Sequence, residues 1–309
     1  MHEKLSRLAV EGTPFLFYTD FTGNEIYCYS LDELVNEDIE YSLIPSIHRH
    51  NETLVKEPLP FSTYKKKFDR IIEYIKSGET YLLNFTQPTP ISTRLSLKEI
   101  FDIANAPYKL RVNDQFVCFS PERFVRIENN RIFTYPMKGT IDASLPDAEA
   151  KILADKKEMA EHVMVVDLLR NDLGIVARDI TVEKFRYIDR INAGDKDLLQ
   201  VSSIISGDLG GNWQKRLGEI IKALLPAGSI SGTPKKRTVE IINEIEGYDR
   251  GFFTGVFGVY DGKSLESAVM IRFIEKNGDG FVYKSGGGIT LDSNPASEYQ
   301  ELIDKIYIP

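Results

Sequence analysis

Apolar positions recur along this chain with two different periods. In residues 62–77, Tyr64, Phe68, Ile71, Ile72 and Ile75 fall three or four apart, which predicts one helical stripe closed by Gly78. Elsewhere the apolar runs are short and bounded by turn residues. Segments 13–19 and 24–29 predict a hairpin around Thr22-Gly23. Segments 80–89, 116–120, 124–128 and 131–135 predict strands, with a tight turn at Asn129-Asn130. Segments 181–189 and 198–209 read as extended. Runs 254–260, 265–275 and 280–285 predict a meander turning at Asp261-Gly262 and Asn277-Gly278.

Helices are expected where caps precede periodic segments. Ser30 with Glu33 forms a capping box for a short one. Others are expected at 96–104, at 147–170 (the longest) and at 213–225. Another opens at Thr233-Pro234, read as cap plus first position, and ends at Gly247; the last opens at Asn294-Pro295. Hairpins outnumber strict strand-helix alternation, so the predicted class is α+β with large antiparallel sheets. No linker, low-complexity stretch or exact repeat interrupts the pattern. A single domain over residues 1–309 is expected.

Composition narrows the partners. The chain of 309 residues has 38 Lys and Arg against 46 Asp and Glu, a net charge of −8, which disfavours nucleic acid. Cys28 and Cys118 are too few for a disulfide framework or a four-cysteine zinc site, so a cytoplasmic protein is expected. No apolar run approaches roughly 18 residues, which excludes a membrane-spanning helix. Leu8-Ala9-Val10 is too short for a signal-peptide core. A small molecule or another protein is the expected partner.

Several segments could carry chemistry. Glu158 and Glu161, and again Glu298 and Glu301, are spaced i, i+3 and so share a helix face. Four such oxygens suit a hard cation such as Mg²⁺, although the same spacing suits a solvated face. Gly286-Gly287-Gly288 lets backbone N–H groups approach an anion, or makes a flexible turn. Ser229 lies in a Gly/Ser/Thr loop before a helix, a second candidate anion site. Lys138 precedes Gly139-Thr140 at a strand end; it is a turn residue, or a nucleophile if its pKa falls from about 10.4. Glu122 ends a strand in Ser120-Pro121-Glu122 and is a turn residue or a general acid. His2, His48, His50 and His162 form no metal-ligand spacing, and His162 fits a core position.

Taken together and in this order, these segments resemble the chorismate-utilising enzymes. The resemblance rests on Ser120-Pro-Glu-Arg-Phe124, Pro136-Met-Lys-Gly-Thr140, the run from Ala160 to Asp172, Pro226-Ala-Gly-Ser-Ile-Ser-Gly-Thr-Pro-Lys235, Ile271-Arg272, and Ser285-Gly-Gly-Gly-Ile289 through Glu301. It implies a single four-layer α/β/β/α unit. It also implies Glu161 and Glu301 as direct Mg²⁺ ligands, with Glu158 and Glu298 holding metal-bound waters. Arg272, Lys305 and the N–H groups of Gly287 and Gly288 would bind the two carboxylates of chorismate, with Gly286, Ser229 and Thr140 alongside. Glu122 would protonate the departing C4 hydroxyl.

Lys138 is similar to the lysine of the aminodeoxychorismate synthases, where anthranilate synthases carry alanine. That lysine is thought to attack ring C2 before ammonia enters at C4, giving 4-amino-4-deoxychorismate on the way to 4-aminobenzoate and folate. The general-base lysine of isochorismate and salicylate synthases falls here on Leu82, which disfavours water chemistry. Three positions depart from the family pattern: Gln200 for a histidine, Ser229 for a threonine and Phe253 for a tyrosine. The region of about residues 1–60 looks shorter than in relatives that place a tryptophan site there, which favours the aminobenzoate branch. No cysteine-histidine glutaminase signature and no pyridoxal-phosphate lyase domain is visible. A separate amidotransferase is therefore expected to supply ammonia from glutamine, and another enzyme to release 4-aminobenzoate. The alternatives are anthranilate synthase component I and an inactive small-acid-binding chain.

Overall fold

The computed structural model describes residues 2–45, 52–193 and 196–309; His48 and His50 lie outside the described residues. The chain divides into two compact units. The first takes Met1–Phe15, Arg123–Leu224 and Val259–Ser267, and the second Leu16–Glu122, Leu225–Gly258 and Ala268–Pro309. Among the described residues the strands form two antiparallel sheets, of nine and eight strands, so the α+β class holds. No described helix is long and apolar enough to cross a membrane.

The nine-stranded sheet runs Met137–Asp142, Lys196–Asp208, Arg131–Thr134, Arg123–Glu128, Leu265–Val269, Val256–Tyr260, Phe15–Thr19, Ile26–Ser30, with Arg178–Ala193 also paired to Lys196–Asp208. The eight-stranded sheet runs Gly232–Thr233, Leu82–Ser92, Gly280–Ile289, Phe273–Asn277, Phe116–Ser120, Tyr108–Val112, Ile39–Ser42, with Val55–Lys56 paired to Leu82–Ser92. The expected meander is therefore interrupted. The predicted strand 265–275 is two strands in different sheets, and Arg272 makes the corner with φ +53°. Tertiary pairing overrides the continuous apolar run.

In the second unit, Phe61–Lys76 buries Tyr64, Phe68, Ile71 and Ile75, while Ile72 stays half-buried at the edge of the stripe. These side chains share a core with Phe85, Ile241, Ile245, Tyr283 and Leu302. The predicted capping box forms, with Ser30 and Glu33 exchanging side-chain and backbone hydrogen bonds, and Ser96 with Glu99 makes a second one at the start of the helix expected there. Asn294 caps Pro295–Asp304 by accepting from the N–H groups of Ala296 and Ser297. The helix Lys235–Glu246 starts differently from the expectation. Pro234 itself is the cap residue and no side chain caps the turn, because Thr233 is drawn into strand pairing with Leu82.

In the first unit the long helix expected at 147–170 is broken. Asp155 adopts extended backbone between Ala148–Ala154 and Lys156–Val176, and its carboxylate accepts from the N–H of Glu158. An aspartate that can cap competes with helix continuation at that residue. Asn129 and Asn130 take φ of 52° and 62°, the left-handed pair a two-residue hairpin turn requires. The predicted helix 213–225 begins as a 3-10 turn, Trp213–Arg216, before Leu217–Leu224. A Cβ on Gly218 would sit 2.1 Å from the carbonyl oxygen of His2, so only glycine permits that close crossing.

One buried ion pair organises the second unit. Arg250 donates from Nε to Glu246 Oε2 (2.8 Å) and from Nη2 to Glu246 Oε1 (2.6 Å). It also donates to the carbonyls of Ile230 (2.9 Å) and Asn84 (2.7 Å). Glu246 Oε1 in turn accepts from the backbone N–H (2.8 Å) and hydroxyl (2.7 Å) of Thr86. Breaking a buried pair strands a charge, so Glu246→Gln and Arg250→Met are each expected to lower unfolding stability by about 3–5 kcal/mol. Urea denaturation checks this; a loss below about 1 kcal/mol would show that the pair is dispensable.

Candidate functional site

The strand Met137–Asp142 places Lys138 against the helix Lys156–Val176. Its ammonium pairs with Glu161 Oε2 at 2.7 Å. A Cβ on the next residue, Gly139, would lie 2.9 Å from Glu158 Oε2, so Glu158 packs over that glycine. The i, i+3 spacing thus brings Glu158 and Glu161 to Lys138 and Gly139 within the first unit. Thr140 is exposed and pairs in register with Gln200, the residue at the family's usual histidine position.

In the second unit the glycine triplet is strand, not loop. Ser285, Gly286, Gly287 and Gly288 pair in register with Gln87, Thr86, Phe85 and Asn84. The other neighbour, Phe273–Asn277, pairs only as far as Lys284, because the chain corners at Arg272. One edge of the glycine run is therefore unladdered. Asn84 and Thr86 turn their N–H groups away, to Ser231 and to Glu246. Antiparallel alternation then commits Gly287 to Phe85 and turns the N–H groups of Gly286 and Gly288 to the open edge. This corrects the expected pair: Gly286 and Gly288 present donors, and Gly287 does not.

Gly287 instead supplies space. A Cβ there would meet Glu301 Oε1 at 3.2 Å, Glu298 Oε2 at 3.6 Å and Lys305 Nζ at 3.6 Å. A Cβ on Gly286 would lie 2.0 Å from the carbonyl oxygen of Phe85. Lys305 pairs with Glu301 (2.6 Å) and donates to the carbonyl of Gly286 (2.8 Å). Arg272 donates to the carbonyl of Lys305 (3.0 Å), with its guanidinium 4.9 Å from the ring centre of Tyr307. Arg272, Gln300, Glu301, Asp304, Lys305 and Tyr307 line an open cleft of about 710 Å³. Arg272 and Lys305 are thus brought to one cleft, as an anion-binding role requires.

Glu122 is half-buried after the strand Phe116–Ser120. Ser120 holds its backbone twice, accepting from its N–H (3.0 Å) and donating to its carbonyl (3.2 Å). The hydroxyl of Ser229 donates to Glu122 Oε1. Burial pushes the carboxyl pKa up, while the Ser229 hydrogen bond and the charge of Lys305 pull it partly back. Net elevation is the condition for a carboxyl that donates a proton.

Magnesium takes oxygen ligands and is usually bound by one or two carboxylates together with water. Each glutamate pair is an oxygen-only donor set, and Glu161 and Glu301 each already hold a cationic ammonium. Among the described residues, no group of three or more His, Cys, Asp or Glu side chains is close enough to hold a metal ion. Two carboxylates with waters are sufficient for Mg²⁺, so the donor chemistry of either pair fits it. His162 is buried, with Nε2 2.7 Å from the hydroxyl of Ser203 and its pKa lowered by burial, a core histidine as expected. Cys28 and Cys118 are buried too. The sequence reading overlooked Glu246, Arg250 and Tyr307. Its available signal was a charged residue extending the buried stripe Ile241, Ile242, Ile245.

The chain belongs to the family of chorismate binding enzymes, whose model matches residues 13–308. It is 48% identical over 316 residues to an uncharacterized PabA-like protein of Haemophilus influenzae, covering 99% of this chain and 95% of that protein. It is 32% identical over 285 residues to aminodeoxychorismate synthase component 1 of Bacillus subtilis, covering 87% of this chain and 59% of that protein. The fold is similar to that of anthranilate synthase component I from Streptococcus pneumoniae, with a TM-score of 0.69 and 25% identity over 86% of this chain and 59% of that one.

The elevated carboxyl can be read directly. Glu122 is expected to titrate above the ordinary glutamate value of 4.5, and Lys305→Met to raise it further by removing a cation that favours the carboxylate. Carboxyl ¹³C NMR, assigned with Glu122→Gln, checks both. A wild-type midpoint at or below the ordinary value would refute the buried-acid description.

Proposed function

We propose that the chain is an aminodeoxychorismate synthase component I, converting chorismate and ammonia to 4-amino-4-deoxychorismate. The observation that carries this reading is Lys138: a lysine held on Glu161 at 2.7 Å, at the position where the resemblance gives anthranilate synthases an alanine. Arg272, Lys305 and the outward N–H groups of Gly286 and Gly288 supply positive charge and donors for the two substrate carboxylates. Glu122 protonates the C4 hydroxyl, which leaves as water. The Nζ of Lys138 bonds to ring C2 as the C4–O bond breaks and the ring double bonds shift. Ammonia then bonds to C4 as the C2–N bond breaks, returning the lysine. Attack requires the neutral amine, so Nζ first gives up a proton to solvent; the ammonium formed when ammonia bonds to C4 then releases the proton that restores Glu122.

The reading includes Mg²⁺, with Glu161 and Glu301 as direct ligands and Glu158 and Glu298 acting through water. The ion would supply positive charge against the substrate's carboxylates. It also includes a separate glutamine amidotransferase as the ammonia source, supported by the PabA-like naming of the Haemophilus influenzae relative and by the absence of a glutaminase signature in the sequence. The product is then the precursor of 4-aminobenzoate and folate, made in the cytoplasm.

Product analysis with chorismate, Mg²⁺ and ammonia tests the reading: 4-amino-4-deoxychorismate is expected, and anthranilate would establish the other branch. Lys138→Ala is expected to keep the fold and chorismate affinity but to lose C4 amination by about a hundredfold or more, with some C2 amination in its place. Undiminished C4 product would show that Lys138 is not the nucleophile. Glu161→Gln and Glu301→Gln are each expected to lose Mg²⁺-dependent turnover and to weaken Mg²⁺ binding in calorimetry. Normal turnover of both at the same Mg²⁺ concentration would remove these residues from the metal's ligand set.

A further inference from the structure

We propose that Ser229 is a positioning residue for the proton donor: its hydroxyl holds Oε1 of Glu122, which leaves the transferable proton on Oε2. This rests on Glu122 being the acid, and it replaces the substrate-binding role that the sequence suggested for Ser229.

A serine hydroxyl carries one donor hydrogen. Ser229 spends it on Glu122 Oε1. Carboxylates of a substrate only accept hydrogen bonds, so Ser229 cannot serve them while it serves Glu122. A protonated carboxyl has one O–H, and the oxygen that accepts from a neighbouring hydroxyl is the one without it. Among the described residues, Oε1 is the Glu122 carboxyl oxygen that takes a hydrogen bond. Oε2 is thereby selected as the donating atom.

Both ends of the contact are rigidly mounted. Ser229 lies in the 3-10 turn Gly228–Ile230. There the N–H of Ile230 donates to Ala227 (3.3 Å) and the hydroxyl of Ser231 to the same carbonyl (2.8 Å). Arg250 clamps the carbonyl of Ile230 at 2.9 Å. At the other end, Glu122 is fixed through its backbone by Ser120, and its carbonyl accepts from the N–H of Val269 at 3.1 Å. Lys305, at the end of the final helix, is the charged group whose field reaches the carboxyl. A carboxyl held at backbone and at one oxygen has little torsional freedom left, which favours proton transfer in a single geometry.

The test compares Ser229→Ala and Ser229→Thr with wild type in chorismate amination. Ser229→Ala is expected to lower kcat roughly 10- to 100-fold while KM for chorismate stays within about threefold. Hydroxyl donation favours the carboxylate, so its loss raises the acid's pKa and moves the high-pH limb of kcat upward. Ser229→Thr keeps the hydroxyl and is expected to restore both. A raised KM with unchanged kcat would overturn the inference and return Ser229 to substrate binding. A second readout needs no turnover: the Glu122 carboxyl ¹³C titration in the resting protein. An upward shift in Ser229→Ala, absent in Ser229→Thr, supports the contact, and an unmoved midpoint overturns it. If wild type leaves chorismate untouched, the inference falls with the assignment of the acid. The resting titration then shows that the assignment failed rather than the contact.

Discussion

A buried guanidinium must find an acceptor for each of its N–H groups, and Arg250 finds them on three separate stretches of the second unit. Glu246 satisfies its charge, Asn84 ties it to the long strand Leu82–Ser92, and Ile230 ties it to the turn that carries Ser229. The same carboxylate takes the outward N–H of Thr86, directly opposite Gly286. That bond sets which glycines of Gly286-Gly287-Gly288 face the open edge, because an antiparallel ladder alternates strictly. The donor pattern along the glycine edge and the mount of Ser229 beside Glu122 therefore both depend on one buried ion pair.

The acidic side chains singled out in each unit differ in what they hold. Glu161 holds the ammonium of Lys138, and Glu301 holds that of Lys305. Glu122 holds a neutral hydroxyl, and burial raises its pKa. A carboxylate paired with a cation suits charge handling, where a metal ion or an anionic substrate must be balanced. A carboxyl with only a hydroxyl for company suits proton transfer. Environment thus sets chemically similar carboxyl groups apart in charge and proton affinity.

Much of this was legible in the sequence. The capping box at Ser30, the Asn129-Asn130 turn, the stripe from Tyr64 to Ile75 and the cap at Asn294 all formed, since each depends on residues within one or two turns of one another. The glutamate pairs likewise followed from helix geometry, and the order of motifs carried the family. Where local signals competed, sequence reasoning went astray. Asp155 stopped a helix that periodicity continued, and Arg272 split a strand that hydrophobicity joined.

The sequence by itself determined the α+β class, the chemistry available to the chain and the residues that could carry it, because residue type and short-range spacing set propensity, charge and reactivity. Only the tertiary structure decided what each of those residues touches. The glycine triplet became a strand edge through pairing with a segment some 200 positions away, and that register chose Gly286 and Gly288 over Gly287 as donors. Ser229 met Glu122, 107 positions earlier, only because the buried Arg250 holds its turn in place. Hydrogen-bond direction and burial depend on which distant segments are paired, and no local pattern encodes that.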